Sequence, residues 1–80
     1  MERAEIITRV QDIFRDVLEN DEIELSEETT SDDIEEWDSL SHIQLVVTIE
    51  KELGIKFTSY EITSWIDTGE MFDCIAKKLG

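Results

Sequence analysis

Glu36-Trp37-Asp38-Ser39-Leu40 opens the stretch that decides the fold. Behind it Leu40, Ile43, Val46, Val47 and Leu53 recur at helical spacing. Gly54 follows, a residue that readily takes the left-handed conformation closing a helix. The pattern predicts a helix from Asp38-Ser39 to about Leu53. Asp38 is a good N-cap, because its carboxylate can accept a hydrogen bond from an otherwise unpaired backbone N–H. Ser39 then takes the first helical position, where free backbone donors and the helix dipole favour an attached phosphate. No base is evident to activate its hydroxyl, so the placement suits phosphate-linked modification better than hydrolysis.

Working outward, a first helix is predicted from about Glu2 to Glu19. Ile6, Ile7, Val10, Ile13, Phe14, Val17 and Leu18 form a broad apolar stripe at spacings of three and four. The polar stretch from Asn20 to Glu36 has only Ile23, Leu25 and Ile34 as apolar anchors. A connection this long needs a structural reason, and the anchors predict that it packs back over the core. Within it Thr30-Ser31-Asp32-Asp33 can cap a short helical turn. Downstream, Ile55-Lys56-Phe57 reads as extended, with its apolar side chains turned inward. Thr58-Ser59-Tyr60-Glu61 supplies an N-cap for a short helix containing Ile62, Trp65 and Ile66. Asp67 or Thr68 caps a final helix in which Met71, Phe72, Ile75, Ala76 and Leu79 share a face, with Lys77 and Lys78 near its C-terminus, where positive charge is favoured. The predicted fold is all-α: a small four-helix bundle of three principal helices, one short helix and a long first connection.

The chain has 80 residues, three glycines and no proline, and is 40% hydrophobic and 35% charged. This composition is that of one folded helical domain, residues 1–80, rather than a disordered tail. A domain this small buries only about 60% of the surface its unfolded chain exposes, so modest stability is expected. Net charge is −14. Between Arg15 and Lys51 there is no Lys or Arg but 13 acidic residues. Nucleic acid and anionic membranes are therefore poor partners, and a basic protein surface is the natural complement. That attraction weakens with salt over a Debye length of about 8 Å. Composition alone is equally satisfied by acidity that only keeps the protein soluble.

Cys74 is the single cysteine and falls among Phe72, Ile75, Ala76 and Leu79, which reads as a buried structural thiol rather than a reactive one. The N-terminus lacks an apolar signal core, and no apolar run is long enough to span a bilayer, so a reducing, cytoplasmic setting is expected. With no large exposed apolar patch evident, the expected state is a monomer. The acidic run Asp21-Glu22-Ile23-Glu24 lacks the glycine and spaced glutamate of a calcium loop, and one histidine cannot build a multi-histidine site, so no metal is expected. His42 lies three residues after Ser39 and is a conceivable base for it. No third orienting group or oxyanion hole accompanies the pair, which favours a partly exposed helix histidine and no catalytic residue.

Asp-Ser-Leu alone would be an ordinary helix start. Its setting is more specific: a long amphipathic helix, an extended acidic connection, then Trp37-Asp38-Ser39-Leu40 opening a second helix that ends Glu52-Leu53-Gly54-Ile55-Lys56-Phe57. In these features the chain resembles the acyl carrier protein family over nearly its whole length. The resemblance implies that a phosphopantetheinyl transferase moves 4′-phosphopantetheine from coenzyme A to Ser39. It also implies that the thiol of that arm carries acyl groups as thioesters in fatty-acid, lipid or specialised-metabolite biosynthesis, with no catalysis by the carrier. Acyl-loading, synthase or acyltransferase enzymes with basic docking patches are the implied partners. Asp38, Leu40, Ile43, Gln44, Val47 and Glu50 are the expected docking residues. Leu40, Ile43, Val46, Val47 and Ile62 could contribute to partner contact, shelter an apolar chain or be ordinary core, with Val46 favouring core. Ser41 and Gln44 stand where the family's fatty-acid carriers usually have acids, and Lys51 adds a positive charge, which points to a specialised carrier. Two alternatives stay open: an aminoacyl or peptidyl carrier, although Glu36-Trp37-Asp38 replaces the glycines usual before that serine, and an unmodified acidic adaptor.

Overall fold

The computed structural model describes residues 1–80 as four helices and no strand: α1 (Arg3–Val17), α2 (Ser39–Leu53), α3 (Ser59–Ser64) and α4 (Thr68–Leu79). Ile6, Val10, Ile13 and Phe14 turn the buried face of α1 onto α2 and α4. Leu45, Val46 and Ile49 of α2 and Met71, Phe72 and Ile75 of α4 are buried as well. Burial of each such side chain contributes about 1.5–3 kcal/mol, which makes this three-helix core the main source of stability. α3 buries no residue.

α1 stops at Val17, short of the Glu19 boundary that periodicity predicts. Glu19 adopts a left-handed conformation (φ 53), and the Asn20 N–H reaches back to the Arg15 carbonyl at 3.0 Å. That 6→1 bond is a Schellman closure with glutamate at the position glycine normally fills. Past it, the long connection does pack over the core, as its anchors predict: Ile23, Leu25 and Ile34 are buried, together with Leu18 and Trp37. Polar side chains of α1 hold it there. Arg15 Nε donates to the Ile23 carbonyl at 2.7 Å, and Gln11 Oε1 accepts the Leu25 N–H at 2.8 Å. Thr30 to Asp33 forms a single hydrogen-bonded turn with one half of the expected cap, in which Asp33 accepts the Thr30 N–H (2.9 Å).

The connection is clipped to the start of α4. The first amides of a helix have no partner inside it. Here the Thr68 N–H donates to Thr29 O and the Gly69 N–H to Glu27 O, both at 2.9 Å. The Thr68 hydroxyl donates to Ser26 O, and Arg3 bridges Glu27, Asp73 and the Gly69 carbonyl. Gly69 packs so closely that a Cβ would run into the Glu27 carbonyl.

α2 ends as predicted, with Gly54 in the left-handed conformation (φ 67) and its N–H on Glu50 O. Ile55 is buried and Phe57 half-buried in the extended link. α3 begins at the expected Thr58 cap, in a box where Thr58 and Glu61 side chains each accept the other's backbone N–H. It ends at Ser64, so Trp65 and Ile66 lie beyond the helix in which the sequence pattern places them. The reason is the next helix. Asp67, rather than Thr68, is the α4 N-cap, and Glu70 takes the Ile66 N–H at 2.6 Å, so the chain must turn extended at Trp65 (ψ 125). Glu61 ties α3 to α4 through Lys78 (3.0 Å) and the Cys74 thiol (3.6 Å). Cys74 is half-buried, and burial, followed by the nearby Glu61 carboxylate, pushes its thiol up, away from reactivity.

Two outcomes follow from this packing. Gly69→Ala is expected to lower stability by about 1–3 kcal/mol, because a backbone carbonyl rather than a flexible side chain must give way, as urea unfolding would read. The Thr58 N–H, then Lys78, draws the Glu61 carboxyl down to about 2 from the usual 4.5. A depressed carboxylate stabilises the fold above its unfolded value and loses that contribution as pH falls through the folded one. The melting-temperature gap between the parent and Glu61→Gln should therefore be full at pH 7 and close between about pH 4.5 and 2.

Candidate functional site

Asp38, extended at φ −120, caps α2 by accepting the Ser41 N–H at 2.8 Å, and the Ser41 hydroxyl accepts the Asp38 N–H at 2.8 Å. Ser41 is buried, and its hydroxyl faces the Glu36 carbonyl (3.0 Å) as well as that of Asp38 (3.1 Å). A carboxylate at this position could accept the Asp38 N–H, as Glu61 accepts that of Thr58, but could not donate to those carbonyls. The N–H donated by Ser41, and then the Ser41 hydroxyl close beside it, hold the Asp38 carboxyl below the usual carboxylate range. The box turns the chain sharply and leaves Ser39 exposed at the first position of α2.

Ser39 sits on the rim of a partly open, mainly apolar cavity of about 470 Å³ between the start of α2 and the Ile62–Met71 segment. Trp37, Ile43, Ile62, Trp65, Ile66 and Met71 supply its apolar lining. His42 crosses it. Trp37 Nε1–H donates to His42 Nδ1 at 3.1 Å, so the imidazole proton lies on Nε2, which donates to the Ile62 carbonyl at 3.1 Å. The ring stacks on Trp37 (28°, centroids 5.9 Å) and meets Trp65 edge-on (77°, 6.0 Å). Both ring nitrogens are engaged, so His42 has no lone pair free to activate Ser39. It is also half-buried within this aromatic group rather than an ordinary surface histidine.

The predicted docking residues separate into two sets. Leu40 (71% exposed), Ile43 (53%) and Val47 (44%) project from α2 into solvent with Gln44. Ile66 (79%) is exposed as well and lines the cavity with Ile43. Val46 is core, at 3%. Asp38 is occupied by the cap, and Glu50 Oε2 accepts the Phe57 N–H at 2.8 Å, fixing the link to α3. The acidity is concentrated elsewhere. A depression over the connection, about 590 Å³, is lined by Glu22, Glu24, Glu28, Asp33, Glu35 and Glu36, while the first turn of α2 holds no acid. No cluster of three or more His, Cys, Asp or Glu residues is placed to hold a metal ion, and no helix is long and apolar enough to cross a membrane.

Sequence reasoning does not bring Trp65, Ile66 and Met71 to this site. They are distant from Ser39 along the chain, and neither Trp65 nor Ile66 lies on a helix, so no periodicity directs them there. The one sequence signal is the pair of tryptophans, Trp37 and Trp65, each flanking a helix rather than lying within it.

Residues 8–75 match the family model described as the phosphopantetheine attachment site. The chain is 33% identical over 78 residues to an acyl carrier protein of Thermotoga maritima, covering 98% of this chain and 96% of that one. Its fold is similar to the solution structure of a holo acyl carrier protein from Geobacter metallireducens (TM-score 0.87, 39% identity, 92% of this chain and 85% of that chain covered). The family match, the full-length relative and the exposed serine capped onto a helix beside an apolar cavity agree: the chain belongs to the acyl carrier protein family, whose members carry acyl groups on 4′-phosphopantetheine and are not themselves catalysts.

Proposed function

We propose that Ser39 bears the 4′-phosphopantetheine arm and that the adjoining cavity shelters the acyl chain. One observation carries this reading: an exposed serine at the first position of α2, on the rim of an apolar cavity, with no free base beside it. In attachment the Ser39 Oγ–phosphorus bond forms, the pyrophosphate link of coenzyme A breaks and adenosine bisphosphate leaves. A phosphopantetheinyl transferase takes the serine proton. Once bound, the arm supplies a thiol that holds acyl groups as thioesters. The protein's own part is to orient and shelter. The positive end of the α2 dipole favours the phosphodiester, and the cavity stabilises an apolar chain by about 0.8 kcal/mol per buried methylene.

Leu40, Ile43, Gln44 and Val47 form the docking face for the transferase and for acyl-loading, synthase or acyltransferase enzymes. Glu35 and Glu36 at its edge meet basic residues on the rim of the partner. Asp38 and Glu50 contribute by holding the cap and the α3 link in place. A first turn of α2 without acid supports a specialised carrier serving a dedicated pathway.

Intact mass tests the assignment. Incubation with coenzyme A, magnesium and a broad-specificity transferase should add one phosphopantetheine to the apo parent and none to Ser39→Ala, with unchanged helical circular dichroism. Absence of any gain from folded apo protein would favour the unmodified adaptor. Val47→Asp should slow that modification by roughly tenfold without unfolding the chain, the scale expected for removing one apolar side chain from an interface.

A further inference from the structure

We propose that His42 is the positioning residue that latches α3 over the cavity and so keeps the carried chain sheltered; this rests on reading the cavity as the acyl site. α3 has six residues and buries none of them, so little apolar burial secures it. Polar bonds do so instead, from two sides. On the α4 side Glu61 binds Lys78 and the Cys74 thiol. On the α2 side, where the cavity opens, the hydrogen bond is His42 Nε2–H to the Ile62 carbonyl. Ile62 lies in the last turn of α3, where carbonyls have no partner within the helix, so the imidazole satisfies a group that would otherwise be open. Trp37 fixes the imidazole for this task. It is only 9% exposed, its indole N–H can only donate, and it therefore holds His42 in the tautomer that points a proton at α3. An element held by a few polar bonds opens locally at low cost, and α3 carries the Ile62–Thr63 part of the cavity wall with it.

Two substitutions separate the two bonds of the ring. Asparagine places its amide oxygen near the Nδ1 position, keeping an acceptor for Trp37 but falling short of Ile62. Glutamine places an amide N–H near the Nε2 position, keeping the donor to Ile62. Amide hydrogen exchange on the unmodified full chain should show α3 amides exchanging roughly three- to tenfold faster in His42→Asn and close to the parent rate in His42→Gln, with α1 and α4 little changed. The same proteins, loaded from octanoyl- and acetyl-coenzyme A, are then treated with hydroxylamine. The ratio of octanoyl to acetyl thioester cleavage should rise in His42→Asn and stay at the parent value in His42→Gln, because an acetyl group is too short to use the cavity. The latch is overturned by unchanged α3 exchange in His42→Asn, by equal acceleration in both variants, or by faster exchange with an unchanged cleavage ratio. Failure of the parent to gain the arm would count against Ser39 attachment, whereas the exchange measurement judges the latch on unmodified protein.

Discussion

The amides of Thr68 and Gly69 donate to the carbonyls of Thr29 and Glu27, and the path of the connection between α1 and α2 depends on that clip. A helix start must find acceptors for its first N–H groups, and an irregular connection must find donors for its carbonyls. Here each solves the problem of the other. The connection is thereby held across the start of α4, and Trp37, Ser39 and Met71 line one cavity. Without that constraint Ser39 would be a capped serine on a helix. With it, the same serine stands at the mouth of an apolar cavity.

Polar groups and apolar groups divide the work in this small chain. α1, α2 and α4 are joined by burial, whereas α3 and the connection are joined mainly by side chains that complete backbone hydrogen bonds. Gln11, Arg15, Glu50 and His42 each serve a main-chain group in another segment. Such bonds contribute little net stability individually, about 0.5–1.5 kcal/mol, but leaving a buried partner unmade costs more. The consequence is a buried three-helix core beside a wall held mainly by polar bonds, which suits the proposed sheltering of a chain in the cavity.

Charge is also divided by place. The net −14 belongs largely to the connection, where six carboxylates line one depression, while the first turn of α2 beyond the Asp38 cap holds no acid. In the proposed docking, a partner is drawn by a field centred beside its contact surface rather than on it, so that long-range attraction and close packing fall on different residues.

The helices, their caps and the prominence of Ser39 were legible in the sequence because they are local. Periodicity marks the buried stripe of α1, Asp38 and Thr58 mark helix starts, and Gly54 marks an end, each through interactions within about five residues. The misjudged boundaries were also local, but they depended on rarer events: a glutamate closing α1 in the left-handed region, and an Asp67 cap that ended α3 before Trp65. The roles of His42, Glu50 and Gly69 were not legible, since the Ile62 carbonyl, the Phe57 amide and the Glu27 carbonyl that they meet lie 20, seven and 42 residues away and no pattern in the chain encodes those pairings. By itself, then, the sequence determined an acidic four-helix chain presenting one serine at a helix start. Only the tertiary structure decided that this serine overlooks a cavity, that His42 is bound on both sides, and that Leu40, Ile43 and Val47 face solvent, because helical periodicity shows that residues share a face and packing alone decides which face is covered.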